Sequence, residues 1–146
     1  MFSKEESKKI RKEFWVSYGK SFPRKWTLYN TKIKDLSFKF IAESKKAGVT
    51  LDIESLNNTQ RELLFQQIES LKNILKSEYL PDIIFEKDYT LDNNKIISRI
   101  YVPYQNKFNI HNKDTWLNCY QFFNTTMSSF ELFWEEYKDY IAQAVV

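Results

Sequence analysis

Two acidic side chains at strand spacing are candidates for metal chemistry. Asp52 and Glu54 are two residues apart, so in an extended strand both carboxylates point to the same side. A divergent Mg²⁺-dependent nuclease needs carboxylates on adjacent strands and a lysine near the attacking water, and Asp35 or Glu43 could supply a third carboxylate. The lysine candidates are Lys39, Lys45 and Lys46. The alternative, which we favour, is that Asp52 and Glu54 lie on the solvated face of a hairpin and are not catalytic.

Other catalytic and metal sites have few residues from which to form. The 146 residues contain one histidine, His111, and one cysteine, Cys119. A zinc site needs about four ligands, and a Ser-His-Asp triad would have to use His111. A lone cysteine makes no intramolecular disulfide, which is typical of a reducing compartment. We therefore expect no metal, no cofactor and a cytoplasmic location.

The apolar residues do not form a membrane segment. No apolar run approaches the ~18 residues that cross a bilayer. Residues 1–12 are charged throughout and lack the apolar centre of a signal peptide. We therefore expect no membrane partner.

Positive charge is concentrated in the first quarter of the chain. Residues 1–34 contain ten bases and three acids, a local charge of +7 in a chain whose net charge is +3. Aromatic residues alternate with these bases, a pattern that suits single-stranded nucleic acid or RNA loops. The alternative is a solvated lysine face on a helix whose rings belong to the core, which is the commoner case. The predicted phosphate contacts are Lys8, Arg11, Lys12, Lys20, Arg24 and Lys25, and the predicted stacking rings are Trp15 and Trp26.

Caps and periodicity predict the elements that position these residues. Ser3 and Glu6 form a capping box before a helix over residues 4–21. Period-two alternation on both sides of the polar turn at residues 43–46 predicts a β-hairpin with one buried face. Asn57, Asn58 and Thr59 are cap candidates, and Thr59 with Glu62 forms a second capping box before an amphipathic helix over residues 59–79.

A second hairpin is predicted over residues 82–103. Asp92, Asn93 and Asn94 make its turn, because Asp and Asn tolerate positive φ. In the strand that follows, Arg99 and Tyr101 lie on the face opposite the apolar residues.

The last segment has aromatic and apolar residues at spacings of four and three from Trp116 to Ile141. With Asp114 as N-cap, it predicts a helix over residues 115–143, roughly 43 Å long at 1.5 Å per residue. Such a helix is longer than a small domain is wide, so it either bends near residues 124–126 or extends into a partner. Heptad spacing permits a homodimer through this helix, but plain core packing is the interpretation that we favour.

The element order is α-β-β-α-β-β-α. It predicts a single α+β domain over residues 1–146, with about four antiparallel strands in two hairpins, three main helices and a long aromatic C-terminal helix. Helices are expected to cover one face of the sheet.

Five stretches carry a resemblance to a known family. They are residues 14–26 (FWVSYGKSFPRKW), 36–40 (LSFKF), 51–54 (LDIE), 99–102 (RIYV) and 112–116 (NKDTW). Together with the aromatic C-terminal helix, they resemble domain-of-unknown-function family 4268, a group of small bacterial proteins. Its members occur alone or as a C-terminal module behind nuclease-like or other DNA-processing regions. The resemblance implies a nucleic-acid setting and supplies no catalytic residues.

The expected function is a non-catalytic binding module for nucleic acid or for a nucleic-acid-processing protein. Two alternatives stay open. One is the divergent Mg²⁺-dependent nuclease, of restriction-endonuclease-like type, and the other is a homodimerising protein-interaction module. Salt-sensitive binding, metal-dependent cleavage and a dimer in solution would distinguish the three.

Overall fold

The computed structural model describes residues 2–145 and has an α+β architecture. The helices are α1 (Lys4–Ser21), α2 (Asn58–Glu69), α3 (Lys72–Ile74), which continues as a π-helix over Leu75–Tyr79, and α4 (Trp116–Ala142). Short 3₁₀ turns occupy Thr27–Tyr29, Lys113–Thr115 and Gln143–Val145. The strands are β1 (Leu36–Ala42), β2 (Ala47–Ile53), β3 (Ile84–Thr90) and β4 (Ile96–Pro103).

Both predicted hairpins are confirmed, and they join into one sheet of order β1-β2-β4-β3 with antiparallel neighbours. The two central strands come from different hairpins, and Leu51 of β2 lies between Phe38 of β1 and Ile100 of β4. Asn94 adopts a φ of 68° in the second turn, as its residue type predicts.

The two faces of the sheet differ in composition. On the core face, Val49, Leu51 and Ile53 of β2 are fully buried in the same cluster as the rings of α4. We call the opposite side the open face, and it consists of Ser37, Lys39, Ile41, Thr50, Asp52, Ile97, Arg99 and Tyr101. Four of these residues, Thr50, Asp52, Ile97 and Arg99, are themselves buried. None of these open-face residues belongs to the core cluster formed by the described residues.

α1 follows its predicted limits, whereas α2 does not. The Ser3 hydroxyl accepts a hydrogen bond from the Glu6 amide at 3.1 Å, which confirms the first capping box. The second capping box is wrong, because the side chain of Asn57 caps α2 by accepting from the Gln60 amide.

The single helix predicted over residues 59–79 is also wrong. α2 ends at Glu69, and the Ser70 hydroxyl donates to the Gln67 carbonyl at 2.6 Å, a local bond that competes with helix propagation. The chain resumes helical geometry at Lys72 and widens to a π-helix, in which the Leu80 amide donates to the Leu75 carbonyl. Leu71, Leu75 and Leu80 are all buried by this arrangement.

α4 is confirmed as a long aromatic helix, and it stays α-helical through residues 124–126. Its N-cap is not Asp114. Asn112 instead accepts from the Asp114 amide at 3.1 Å, and a 3₁₀ turn leads into the helix at Trp116.

The heptad seam of α4 is core. The ring centroid of Phe123 lies 4.9 Å from that of Phe40, and Phe38 on β1 lies 5.4 Å from Phe130 and 5.6 Å from Trp134. The rings that would have formed a dimer seam are therefore used within this chain. Across residues 2–145, none of the helices has the length and apolar character that a bilayer crossing requires.

Candidate functional site

Three predicted phosphate contacts form what we call the basic stripe, Lys8, Arg11 and Lys12 on α1. All three side chains are exposed, and none forms an ion pair with any residue from 2 to 145. The stripe faces outward because Phe14 holds α1 by its other side, packing edge-on against Trp116 with 5.2 Å between ring centroids. Positions three and four apart on a helix are neighbours, so the cations form one patch.

Trp15 lies one helical turn beyond Arg11 and Lys12. Its ring is half-buried and stacks parallel to Phe123, with centroids 5.9 Å apart and an interplanar angle of 9°. Phe14 also packs edge-on against it at 4.9 Å. The indole beside the basic stripe is therefore held rigidly and stays partly accessible.

Arg24 and Trp26 are engaged with the fold. The Arg24 guanidinium donates to the Ser128 hydroxyl at 2.7 Å, forms an ion pair with Glu131 and lies 4.1 Å from the centroid of Trp26. The Thr27 amide also donates to Glu131, at 2.9 Å. Arg24 therefore fastens the segment after α1 to α4 and covers one face of Trp26.

Lys20 and Lys25 are exposed and make no ion pair with the residues that the structure describes. The predicted nucleic-acid residues thus separate into two groups. The charge of Arg24 is neutralised by Glu131, whereas five cations have no ion-pair partner in the part of the chain that the structure describes: Lys8, Arg11, Lys12, Lys20 and Lys25.

Asp52 of β2 and Glu54, directly after the strand, both contact cations, and Lys39 contacts the two of them. Asp52 is fully buried, and Arg99 holds it in a bidentate pair, with Nε 2.8 Å from Oδ1 and Nη2 2.9 Å from Oδ2. The Thr50 hydroxyl donates to Oδ1 at 2.7 Å. Lys39 on β1 lies 2.7 Å from Glu54 and 3.8 Å from Asp52.

This arrangement differs from the metal site that the sequence suggested. Asp35 and Glu43 do not join the pair, and no three His, Cys, Asp or Glu side chains between residues 2 and 145 form a group that could hold a metal ion. Of the candidate lysines, Lys39 pairs with both acids, and Lys46 pairs with Glu43 at 3.4 Å. The carboxylates therefore serve as partners for cations.

Sequence reasoning missed the role of Arg99. Burial alone would lower the pKa of this guanidinium, but the hydrogen bond and charge of Asp52 outweigh it and raise the pKa. The two side chains form a buried ion pair, and its hydrogen bonds compensate the loss of hydration. The Tyr89 ring covers the guanidinium, with its centroid 4.4 Å from Cζ.

A β-bulge brings Tyr89 to this position. Glu86 pairs with Arg99 and Tyr89 pairs with Ile97. Three residue steps along β3 therefore lie opposite two steps along β4. Strict alternation would point Glu86 and Tyr89 to opposite faces, and the extra residue returns both to the open face. Three consecutive charged residues, Glu86, Lys87 and Asp88, within a strand pattern were the available signal.

A buried arginine fixes this bulge. Arg61 of α2 donates from Nη1 to the Lys87 carbonyl at 2.7 Å, the Ser98 hydroxyl at 3.0 Å and Asp88 at 3.2 Å. Ser98 donates in turn to the Lys87 carbonyl at 2.6 Å. α2 therefore holds the backbone that positions Tyr89 over Arg99.

The lone cysteine and histidine have ordinary structural surroundings. Cys119 is buried on α4, and burial raises the pKa of its thiol to about 12, so the thiol is protonated at neutral pH. The His111 ring stacks on Phe2, with centroids 3.8 Å apart.

Residues 10–138 match the family described as Domain of unknown function (DUF4268). The chain belongs to the DUF4268 family. The resemblance is thereby confirmed, and the matched region covers Arg11, Lys12, Trp15 and the whole open face, while Lys8 lies just before it. No curated protein and no solved structure matches the chain.

Proposed function

We propose that this DUF4268 chain is a non-catalytic module that binds single-stranded nucleic acid through α1. The observation that carries the proposal is the basic stripe itself, three exposed cations that form no ion pair with residues 2–145. They lie on neighbouring turns beside a half-exposed indole that Phe123 holds in place. Such cations gain free energy by releasing condensed counterions from a phosphate backbone. An accessible ring adds a stacking surface for an unpaired base.

A catalytic function has less support. The carboxylate of Asp52 is already occupied by Arg99 and Thr50, so a metal ion would have to compete with a buried charge pair. Glu54 is partnered by Lys39 and by Lys95, whose Nζ lies 3.8 Å from it. The open face is therefore better suited to a structural role than to phosphodiester cleavage.

The test is fluorescence anisotropy of labelled single-stranded DNA, single-stranded RNA and duplex DNA, titrated with protein at several salt concentrations. Lys8→Ala/Arg11→Ala/Lys12→Ala should weaken binding and reduce the slope of log K against log [salt] by about 2 for single strands. The matched control is Lys34→Ala/Lys45→Ala/Lys76→Ala, which removes the same charge from exposed positions outside the stripe. It should keep most of the wild-type slope.

The same titration separates the alternatives. Cleavage of the oligonucleotide that requires Mg²⁺ would favour the nuclease. No binding of any oligonucleotide at micromolar protein would contradict the proposal and direct the search to a protein partner.

A further inference from the structure

A pocket of about 410 Å³ opens between the end of β4 and the first turns of α4. Its walls combine two rings, Tyr104 and Phe122, with four side-chain amides from both sides of the opening. The amides are those of Gln105, Asn106, Asn118 and Gln121. We call this the amide pocket.

The two rings of the amide pocket are half-buried and fixed by the fold. Their centroids lie 5.0 Å apart, and the Tyr104 amide donates to the Ala47 carbonyl at 2.9 Å, which ties this ring to the sheet. Burial is the main cause that raises the pKa of the Tyr104 phenol, so the hydroxyl keeps its proton at neutral pH. The pocket thus offers ring surfaces and a neutral donor.

Asn106 is hydrogen-bonded to the Tyr104 phenol, whereas the other three amides have no hydrogen-bond partner among the described residues. Asn118 and Gln121 are three residues apart on α4, both exposed, and neither side chain makes a hydrogen bond to any residue from 2 to 145; the same holds for Gln105. A side-chain amide has a donor and an acceptor side by side, which matches the edge of adenine with two hydrogen bonds. Asp82 is the one charged residue in the lining, so the pocket favours a base over a phosphate.

A chain of rings connects the amide pocket to the basic stripe. Phe122 lies 6.1 Å from Phe123, which lies 5.9 Å from Trp15, and with the 5.0 Å between Tyr104 and Phe122 the whole path is at most 17 Å. This bounds the straight-line separation of Trp15 and Tyr104, and because Phe123 is fully buried a strand on the surface takes a longer course. A ten-nucleotide strand spans roughly 34 Å at ~3.4 Å per nucleotide, about twice the straight-line separation.

We infer that the amide pocket takes an unstacked nucleobase, with adenine preferred, from a single strand whose backbone is held by the basic stripe. This inference rests on the proposed function and assigns it a base-reading subsite. The rings supply stacking, and Asn118 and Gln121 supply the hydrogen bonds that distinguish adenine from other bases.

The experiment compares ten-nucleotide oligodeoxyadenylate, oligodeoxycytidylate and oligodeoxythymidylate by anisotropy at one salt concentration. Wild-type protein should bind the adenylate most tightly. Asn118→Ala/Gln121→Ala should weaken adenylate binding about tenfold, abolish the preference and leave the salt slope unchanged. Phe122→Leu should weaken all three, also about tenfold, since stacking is tolerant of base identity.

The control Gln66→Ala/Asn73→Ala removes one glutamine and one asparagine from exposed positions on other helices and should bind like wild type. A thermal unfolding curve for each variant checks that it folds. If Asn118→Ala/Gln121→Ala keeps the wild-type affinities while the basic-stripe variant loses salt slope, the subsite is wrong and the proposed function stands. An equal loss for all three oligonucleotides with that variant would also overturn base reading, and no binding by wild-type protein would overturn both.

Discussion

The basic stripe and the open face contain the same kinds of charged residue, but they differ in exposure and in ion pairing. On α1, Lys8, Arg11 and Lys12 are exposed without ion pairs among the described residues. On the open face, Arg99 is paired with Asp52 and is only 8% exposed. An exposed cation without a counter-ion gains free energy by binding an anionic ligand, whereas the cation of a buried ion pair is already bound to its counter-ion. Pairing, more than residue type, therefore marks a candidate binding surface.

The largest expected effect is on the buried pair. Asp52→Ala leaves the Arg99 guanidinium buried without its counter-ion, and the free energy of unfolding should fall by about 3–5 kcal/mol. Urea denaturation measures the loss. Glu54→Ala is the control, and since Glu54 is partly exposed its loss should stay within about 1 kcal/mol. A loss of similar size for both variants would contradict the distinction between the two acids.

Removal of the arginine that holds the bulge should come next. Arg61→Ala removes the donor to the Lys87 carbonyl and the Ser98 hydroxyl, and we expect a loss of about 2 kcal/mol. Urea denaturation again measures it, with Arg11→Ala as the exposed control. If Arg61→Ala were as mild as Arg11→Ala, the bulge would not depend on this side chain.

A pH effect is expected from a buried tyrosine near the basic stripe. Burial raises the pKa of Tyr18 from 10.0 to about 12, and its hydroxyl has no hydrogen-bond partner among the described residues. The folded state therefore favours the protonated phenol. The resulting contribution to the free energy of unfolding is complete below pH 10 and is lost as the pH rises from 10 towards 12.

Tyr18→Phe should therefore be nearly neutral at pH 7 and about 1 kcal/mol more stable than wild type at pH 11. Denaturation at the two pH values measures the difference, and Tyr29→Phe, at an 89% exposed position, is the control. If wild-type protein and Tyr18→Phe lost stability equally above pH 10, Tyr18 would not titrate as described.

Per residue, the basic stripe should contribute least to stability. Lys8→Ala/Arg11→Ala/Lys12→Ala should change the free energy of unfolding by no more than about 0.5 kcal/mol per residue, because exposed side chains without partners contribute little to folding. A large loss of unfolding free energy would mean that these cations stabilise the fold, as Arg99 does.

Sequence patterns predicted most of the fold because they are local. Ser3 caps α1, the two hairpins alternate with period two, and the α4 rings repeat at helical spacing, so each element follows from its neighbours in the chain. The break after Glu69 was missed, and Asn57 was only one of three cap candidates at residues 57–59, since several polar residues there compete for the same backbone groups.

The sites were less predictable because their outcome depends on distant partners. Nothing near Asp52 in the sequence indicates that Arg99, 47 residues later, will occupy its carboxylate. Likewise, Arg24 and Lys25 are adjacent, yet only Arg24 meets Glu131. The strand order β1-β2-β4-β3 and the packing of residues 22–31 on α4 decide both contacts, and neither is encoded by local spacing.

The most direct test of the contrast between the basic stripe and the open face is a ¹⁵N–¹H spectrum of the protein, recorded before and after addition of a ten-nucleotide single strand. The indole signal of Trp15 lies beside the basic stripe, those of the buried Trp116 and Trp134 report the core, and the Nε signal of Arg99 reports the open face. We expect the Trp15 signal to shift with the oligonucleotide concentration while the Arg99 signal stays in place. A shift of Arg99 with an unmoved Trp15 would contradict the account and place the ligand on the open face.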